Sequence, residues 1–280
     1  MICKFCKSKR VYKLKSFSSP YFSNKNYTLF ACDNCSSRFF DINQHQISIN
    51  ELYEKLAKDK KEIPVDFKIK QYWEEQKKII IRLMEKPPTS ILDIGCRTGD
   101  FLMHFKDTIE REGVEISNYY SEVACRRGLK IYNSNFQNTN FDKKYDIVSA
   151  YNILEHISDP ISFLNRINSI INKNGLVVIL IPIFDCLKVK ILTKLNIRWH
   201  MYIPPEHLNF FSKIFLDSYL NHLGFKLIKR YYSSGGLINP FRGIPLISAI
   251  FNKFMFYYDK SFLNKLPIFD HLFSYYKKIV

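Results

Sequence analysis

The feature that most constrains the fold is a series of short, largely apolar runs that begins near Ser90 and alternates with segments of helical spacing. Four runs are predicted strands: ILDIG (91–95), GVEIS (113–117), YDIVSAY (145–151) and LVVILIP (176–182). Helices are predicted at 101–108, 119–127 and 161–171, and a later one from Ser212 to His222 precedes a strand at 225–232. Strands that are apolar without alternation are typical of parallel sheets covered by helices. The pattern therefore predicts a doubly wound α/β domain.

Changes in composition divide the 280 residues into four predicted segments. Residues 1–45 are polar and basic, and residues 46–86 are predicted to form a helical connector. The connector ends at Pro87, because a proline cannot continue a helix. Residues 87–232 form the α/β domain. The aromatic, basic residues 233–280 are expected either to cover the sheet as helices or to rest on an anionic membrane.

The composition favours a globular protein with anionic partners. Apolar residues make up 46% of the chain, which is too much for a disordered one. A formal charge of +16 suits nucleotides, glycan phosphates, nucleic acid or an acidic membrane surface. No apolar run reaches membrane-spanning length and no secretory signal pattern is present. Because the seven cysteines are also an odd number, a cytoplasmic, reducing compartment is expected.

Two pairs of the CxxC type lie in the first segment, Cys3 with Cys6 and Cys32 with Cys35. Two intervening residues let each pair turn both thiolates toward one ion, so the spacing predicts a zinc ribbon. Four sulfurs leave no open position, which indicates a structural site. Chance thiols or two redox pairs are the alternatives.

The run around Asp93 is a strand, then a turn bounded by Gly95 and Gly99, then a helix start. Such a turn lets a ligand approach the backbone. Arg97 stands where a dinucleotide loop needs its second glycine, so a pyrophosphate is not expected. Asp93 suits an ammonium group, and Glu115 follows at the spacing of a ribose-binding acid. S-adenosylmethionine (SAM) combines these groups.

The chain here resembles the class I SAM-dependent methyltransferases. ILDIGCRTGDF (91–101) is similar to their first motif, GVEIS to their second-strand acid, and YDIVSAYNILEHISDP (145–160) to their fourth strand and following loop. NKNGLVVILIP is similar to their fifth strand. Residues 198–212, RWHMYIPPEHLNFFS, are similar to an insert in a branch often found with glycan and surface-polysaccharide biosynthesis. The resemblance covers about residues 86–232 and implies a Rossmann-like methyltransferase sheet that binds SAM.

The resemblance implies seven cofactor-binding residues, which are Asp93, Gly95, Gly99, Glu115, Asn135, Phe136 and Asn152. The first three would line the methionine end of SAM, and Glu115 would bind its ribose. Asn135 and Phe136 would contact the adenine, with a plain surface loop as the alternative. Asn152 would lie near the sulfonium.

The insert also carries the predicted catalytic residues. His207 is the expected general base, because the pKa of histidine lies near working pH, and His200 and Tyr202 are its expected neighbours. The alternative is that His207 braces the helix that begins near Ser212.

Glu155 and His156 permit a further arrangement. Some O-methyltransferases of this class bind a divalent ion through a Glu-x-x-Glu-His run, and here Asn152 occupies the first position. Because a hard cation prefers carboxylate oxygens, packing of His156 under the loop is the favoured interpretation.

The favoured function is methylation of a small molecule or glycan, with a phosphate-bearing sugar of a polysaccharide pathway as acceptor. The alternative is an RNA methyltransferase that binds nucleic acid through the zinc ribbon and a basic surface. Ala150–Ile153 lack the Asp/Asn-Pro-Pro-aromatic motif of many enzymes that methylate base nitrogens, which counts against RNA. A non-catalytic scaffold is a third hypothesis, disfavoured by the retained acids and glycines. If residues 233–280 rest on a membrane, its inner face is the expected location.

Overall fold

Two β-sheets organise the residues that this computed structural model describes, which are 1–41, 67–234 and 245–280. The smaller sheet has the strands β1 (Val11–Ser18), β2 (Asn26–Cys32), β3 (Arg38–Phe40) and β9 (Asn209–Phe210). The larger sheet has the strands β4 (Ser90–Ile94), β5 (Glu110–Val114), β6 (Lys130–Tyr132), β7 (Tyr145–Tyr151), β8 (Ile171–Pro182), β10 (Phe225–Ser233) and β11 (His271–Lys278). Its order is β10-β11-β8-β7-β4-β5-β6, and β11 runs antiparallel to both of its neighbours.

Helices cover both faces of the larger sheet, which confirms the predicted α/β class. The helices are α1 (Phe67–Leu83), α2 (Asn118–Arg126), α3 (Pro160–Ile170), α4 (Leu187–Lys194), α5 (Lys213–His222) and α6 (Pro245–Lys260). Leu92 of β4 belongs to the core under α3 and α5, whereas Ile91 belongs to the core under α1 and α2. Alternate residues of a strand face opposite sides, so a strand buried throughout has a continuous apolar sequence.

The helix α5 begins and ends at the residues that the sequence predicted. The Ser212 hydroxyl accepts a hydrogen bond of 3.0 Å from the amide of Phe215, and Gly224 ends the helix with φ +82°.

The helix predicted over 101–108 is wrong, because only Leu102–His104 form a short 3-10 turn. The backbone is already extended at Phe105, since the chain must reach the start of β5 a few residues later.

The C-terminal segment contains the helix α6, which packs Met255 and Tyr258 into the core, and also a strand, β11, that the sequence analysis did not predict. β11 lies between β8 and β10, with Phe273 opposite Leu180 on one side and Tyr231 on the other. Residues 271–276 are buried. Local sequence patterns do not reveal this strand, because β11 pairs with strands far away in sequence. No described helix has the length and apolar character to cross a membrane.

The predicted connector is described only in its second part, where α1 lies, and residues 46–66 fall outside the described residues.

A buried polar contact joins α1 to the larger sheet. Gln76 is 3% exposed, and its amide oxygen accepts hydrogen bonds from the hydroxyls of Tyr275 at 2.6 Å and Tyr231 at 3.0 Å. Its amide nitrogen donates to Tyr231 at 2.7 Å. One glutamine therefore satisfies two buried hydroxyls.

Replacing Gln76 by leucine is expected to lower the free energy of unfolding by about 1–3 kcal/mol, because two buried tyrosine hydroxyls lose their partner. Chemical denaturation followed by tryptophan fluorescence measures this change. The control is Lys78→Leu, which places the same side chain at an exposed position of α1. Equal stability of Gln76→Leu and the wild type would contradict the prediction.

Candidate functional site

Three neighbouring strands of the larger sheet end at one edge. β4 pairs in parallel with β5 and with β7, so Asp93 lies opposite both Gly113 and Ser149. The residues that follow these strands, namely the glycine loop (residues 95–99), Glu115 and Asn152, are therefore brought to the same edge. In open α/β sheets this carboxyl edge is where ligands bind.

The glycine loop has a backbone that requires its glycines. Gly95 and Gly99 have φ of +74° and +76°, in the left-handed region that side chains rarely adopt. A Cβ at Gly95 would lie 2.1 Å from Cδ1 of Ile153, and one at Gly99 would lie 2.1 Å from Cδ1 of Leu129. Alanine at either position would therefore push the loop away from its neighbours.

Asp93 places a buried carboxyl group beneath this loop. It is 4% exposed, and its Oδ1 accepts a hydrogen bond of 2.7 Å from the Ser149 hydroxyl. Burial raises the pKa of Asp93 to about 7, and the nearby Glu115 carboxylate adds to the increase. A cationic group that binds here would offset the cost of the buried negative charge.

Glu115 is held in place by main-chain amides. Its two carboxylate oxygens accept hydrogen bonds from the amides of Arg97 at 2.9 Å and Ser117 at 2.8 Å. Arg97 adopts φ +49°, and its guanidinium lies over the ring of Tyr120 at 5.0 Å. The arginine that replaces the usual middle glycine thus points away from the loop backbone. Each oxygen of Glu115 retains acceptor capacity for a ligand hydroxyl.

An aromatic group next to the glycine loop was not foreseen from the sequence. The ring of Trp73, from α1, lies 5.2 Å from that of Phe101 and 5.0 Å from that of Tyr151. The Tyr151 hydroxyl is buried and has no hydrogen-bond partner among the described residues. Burial, and then the Asp93 carboxyl, raise the pKa of Tyr151 well above its usual range. A buried hydroxyl without a partner beside Asp93 is suited to a polar ligand.

The other three predicted cofactor residues occupy different environments. The exposed Asn135 accepts a hydrogen bond of 3.0 Å from the amide of Gln137 and so caps a 3-10 turn. The Phe136 ring is 4% exposed and lies 4.9 Å from the ring of Phe163, within the core. Asn152 is exposed at the carboxyl edge, with φ +53°. The structure therefore brings Asn152 to the edge that carries Asp93 and Glu115, and gives Phe136 a packing position.

Two of the three predicted catalytic residues are engaged elsewhere. The Tyr202 hydroxyl accepts a hydrogen bond of 2.8 Å from the guanidinium of Arg38 in β3, and its ring lies 4.9 Å from that of Phe210. His200 is half-exposed, with its Nε2 3.9 Å from Oδ2 of the buried Asp270. Among the described hydrogen bonds, none joins Tyr202 or His200 to His207. Their role as neighbours of a catalytic base stays a prediction, and His200 lies near enough to contribute to the lowered pKa of His207.

His207 is buried, and a hydrogen bond and a ring contact hold its imidazole in place. It is 7% exposed, its Nδ1–H donates to the carbonyl of Met201 at 3.0 Å, and its ring lies 4.8 Å from that of His156. Burial, and then His156, lower the pKa of His207 well below its usual range. His207 is therefore neutral and a weak proton acceptor. The cap of α5 is instead braced by Cys35, whose carbonyl accepts a 2.5 Å hydrogen bond from the Ser212 hydroxyl.

His207 forms a cluster with Glu155 and His156, here called the Glu-His-His cluster. The potential ligand atoms of the three side chains lie within 4.8 Å of one another. Glu155 is 2% exposed, and burial raises its pKa to about 8. His156 donates its Nδ1–H to the carbonyl of Glu206 at 2.8 Å. Glu155 and His156 lie in the turn after β7, and His207 lies in the insert.

The four paired cysteines converge as predicted. The Sγ atoms of Cys3 and Cys35 are 3.7 Å apart, those of Cys6 and Cys32 are 3.6 Å apart, and all four lie within 4.8 Å of one another. A tetrahedral zinc ion with bonds of about 2.3 Å requires sulfur separations of about 3.8 Å. The cysteines therefore fit zinc.

The cysteine-bearing ribbon, residues 1–41 as described, is joined to the insert (residues 198–212). β3 pairs with β9 of the insert, with Arg38 opposite Phe210. The Phe5 ring packs 5.1 Å from that of Phe211. The insert that carries His207 thus completes the smaller sheet.

The strand order, the glycine loop and the two acids define the fold of a class I SAM-dependent methyltransferase. A family model described as a methyltransferase domain matches residues 67–230. The chain belongs to this methyltransferase-domain family, which confirms the resemblance to SAM-dependent methyltransferases.

Solved structures share the fold at low sequence identity. One chain in the complex between the Haloferax volcanii Trm112 methyltransferase activator and a methyltransferase has a TM-score of 0.52 and 16% identity, over 74% of this chain and 90% of that one. The plantazolicin methyltransferase BpumL, in complex with a triazolic desmethylPZN analogue and S-adenosyl-L-homocysteine (SAH), has a TM-score of 0.50 and 17% identity, over 83% of this chain and 92% of that one. The N-methyltransferase NodS from Bradyrhizobium japonicum, in complex with SAH, has a TM-score of 0.50 and 10% identity, over 82% of this chain and 97% of that one. A sequence search of curated proteins gave no match.

The affinity for SAM is expected to rise between about pH 5.5 and 7.5, because the ammonium of SAM is predicted to bind the ionised form of Asp93. Burial raises the pKa of this carboxyl to about 7, so protonation competes with binding below that pH. Asp93→Asn is expected to bind SAM at least about tenfold more weakly and with little dependence on pH. Calorimetric titration measures both. A wild-type profile as flat as that of Asp93→Asn would refute the assignment.

Removal of metal by a chelator is expected to loosen the insert as well as the ribbon, because β3 and β9 share one sheet. The buried Trp199, in the insert, reports this as a red shift of its fluorescence. Cys6→Ser should lose zinc and show the same shift, whereas Cys125→Ser, at an exposed position, should do neither. Elemental analysis gives the zinc content. Equal zinc in the Cys6→Ser and wild-type proteins would exclude the four-sulfur site.

Proposed function

We propose that this protein transfers the methyl group of SAM to a small-molecule or glycan acceptor. The observation that carries the proposal is the pair of buried acids, Asp93 and Glu115, at the carboxyl ends of β4 and β5 next to the glycine loop. One acid suits the ammonium group of SAM and the other its ribose hydroxyls. The Tyr151 hydroxyl beside Asp93 adds a donor for the same end of the ligand.

The cofactor supplies an electrophilic methyl group on a sulfonium, so the protein has to hold it and align the acceptor. Asp93 would bind the ammonium through the oxygen that Ser149 does not occupy. Glu115, already oriented by the amides of Arg97 and Ser117, would accept hydrogen bonds from the ribose. Both acids are fixed before the ligand arrives, which lowers the entropic cost of binding.

The acceptor side is proposed to lie between the turn after β7 and the insert. Leu208 of the insert donates its amide to the carbonyl of Glu155 at 2.6 Å, and Asn209 donates to the carbonyl of Leu154 at 2.9 Å. These bonds fix the insert over the edge where the cofactor would bind. The similarity of the insert to that of glycan-linked methyltransferases supports a sugar acceptor, and the charge of +16 supports a phosphate on it.

The RNA alternative retains one supporting observation. Strand β1 is an outer strand of the smaller sheet, and Lys13 and Lys15 are exposed on it. Against this alternative, the opposite edge of the ribbon is paired with the insert, and Phe5, Phe39 and Phe40 are buried, although Tyr12 is exposed beside the two lysines. A ribbon used as a separate nucleic-acid module would not need this contact.

Transfer of a labelled methyl group from SAM tests the proposal. Label is expected in a pool of nucleotide-linked or lipid-phosphate-linked sugars, and Asp93→Asn is expected to reduce it at least about tenfold. Total RNA is offered in parallel, at low and high salt. Label in RNA that Asp93→Asn abolishes would establish the alternative, and no label in either pool would contradict the proposed acceptor class.

A further inference from the structure

The Glu-His-His cluster combines residues that are distant in sequence. Glu155 and His156 lie in the turn after β7, whereas His207 lies in the insert. Among the described residues, this set and the four ribbon cysteines are the groups able to surround a metal ion. The Nε2 atom of His156 lies 3.9 Å from Oε1 of Glu155.

Both imidazoles are oriented as ligands. His156 and His207 each donate Nδ1–H to a main-chain carbonyl, of Glu206 at 2.8 Å and of Met201 at 3.0 Å. This leaves Nε2 of each ring as the nitrogen with the lone pair. Metal-binding histidines characteristically donate their other nitrogen to a carbonyl or carboxylate in this way.

The carboxylate of the cluster has an unused oxygen. Glu155 is 2% exposed, and its Oε2 has no hydrogen-bond partner among the described residues. A buried polar atom without a partner costs free energy that is normally offset by a proton, a water or an ion. No cationic lysine or arginine forms an ion pair with Glu155 in the described chain.

We propose that Glu155, His156 and His207 bind a divalent transition-metal ion such as Zn²⁺, Fe²⁺ or Mn²⁺. Two imidazoles and one carboxylate suit these ions, whereas Mg²⁺ and Ca²⁺ prefer oxygen ligands. The sequence suggested a weak hard-cation site, because Asn152 stands where a carboxylate was needed. Folding supplies His207 as the third ligand instead. Three protein ligands leave a position open for the acceptor.

The site lies next to the proposed cofactor pocket, and its role rests on the proposed function. Ile153, three residues before His156, contacts the glycine loop so closely that a Cβ at Gly95 would overlap it. An acceptor hydroxyl that coordinates the ion would lose its proton to solvent water more readily. Its oxygen would then form the new C–O bond to the methyl carbon, while the C–S bond breaks and its electron pair returns to the sulfur of SAH.

Cobalt(II) titration of the full chain, with zinc retained in the ribbon, tests the site. The wild type is expected to bind one further ion with weak visible bands of nitrogen and oxygen ligands, and without the intense near-ultraviolet bands of thiolate ligands. Glu155→Gln and His207→Gln are expected to weaken this binding at least about tenfold. His222→Gln, an exposed histidine of α5, should bind cobalt as the wild type does.

Circular dichroism and calorimetry with SAM are run on every variant. Folded Glu155→Gln and His207→Gln proteins that bind cobalt as tightly as the wild type would overturn the proposal. If those variants do not fold, the titration of the wild type decides the matter. A wild-type protein that binds no cobalt ion beyond the ribbon site would also overturn the proposal. SAM binding without a second metal would leave the proposed function intact, whereas metal binding without SAM binding would refute only that function.

Discussion

The parallel pairing of β4 with both β5 and β7 is the constraint on which the remaining structure depends. This register places Asp93 opposite Ser149, whose hydroxyl bonds to it at 2.7 Å, and brings Glu115 close enough to raise the pKa of Asp93. Two buried acids at one edge are unfavourable without a ligand. The sheet tolerates them because main-chain amides and a serine hydroxyl donate hydrogen bonds to their oxygens, and these contacts also fix the orientation of both carboxyl groups.

The ribbon and the methyltransferase domain act as one structural unit. β9 belongs to the insert in sequence but to the ribbon sheet in space, and Ser212 at the end of the insert bonds to the carbonyl of Cys35. Zinc at the four cysteines would therefore stabilise the segment that carries His207. This arrangement also connects the cysteine cluster to the Glu-His-His cluster through a single short segment.

Much of the fold could be predicted from local patterns, and the features that were missed depend mainly on contacts between distant segments. Continuous apolar runs identified β4, β7 and β8, and a serine and a glycine marked the ends of α5. β11 was missed because its pairing with β8 and β10 joins residues about 40 to 90 positions apart, as with Phe273 opposite Tyr231 and Leu180. The contact of Tyr202 with Arg38, which joins the insert to the distant ribbon, was not evident from the sequence for the same reason.

The amino-acid sequence by itself determined the strands that form the carboxyl edge, the glycines of its loop, the acids beside it and the four cysteines. These features depend on local backbone conformation and on spacing of a few residues, which a motif records directly. The tertiary structure decided that His207 meets Glu155 and His156, that Phe136 enters the core and that Trp73 packs against Phe101. These contacts depend on how distant segments pack, because burial of apolar surface acts between whole elements and is not encoded in any one of them.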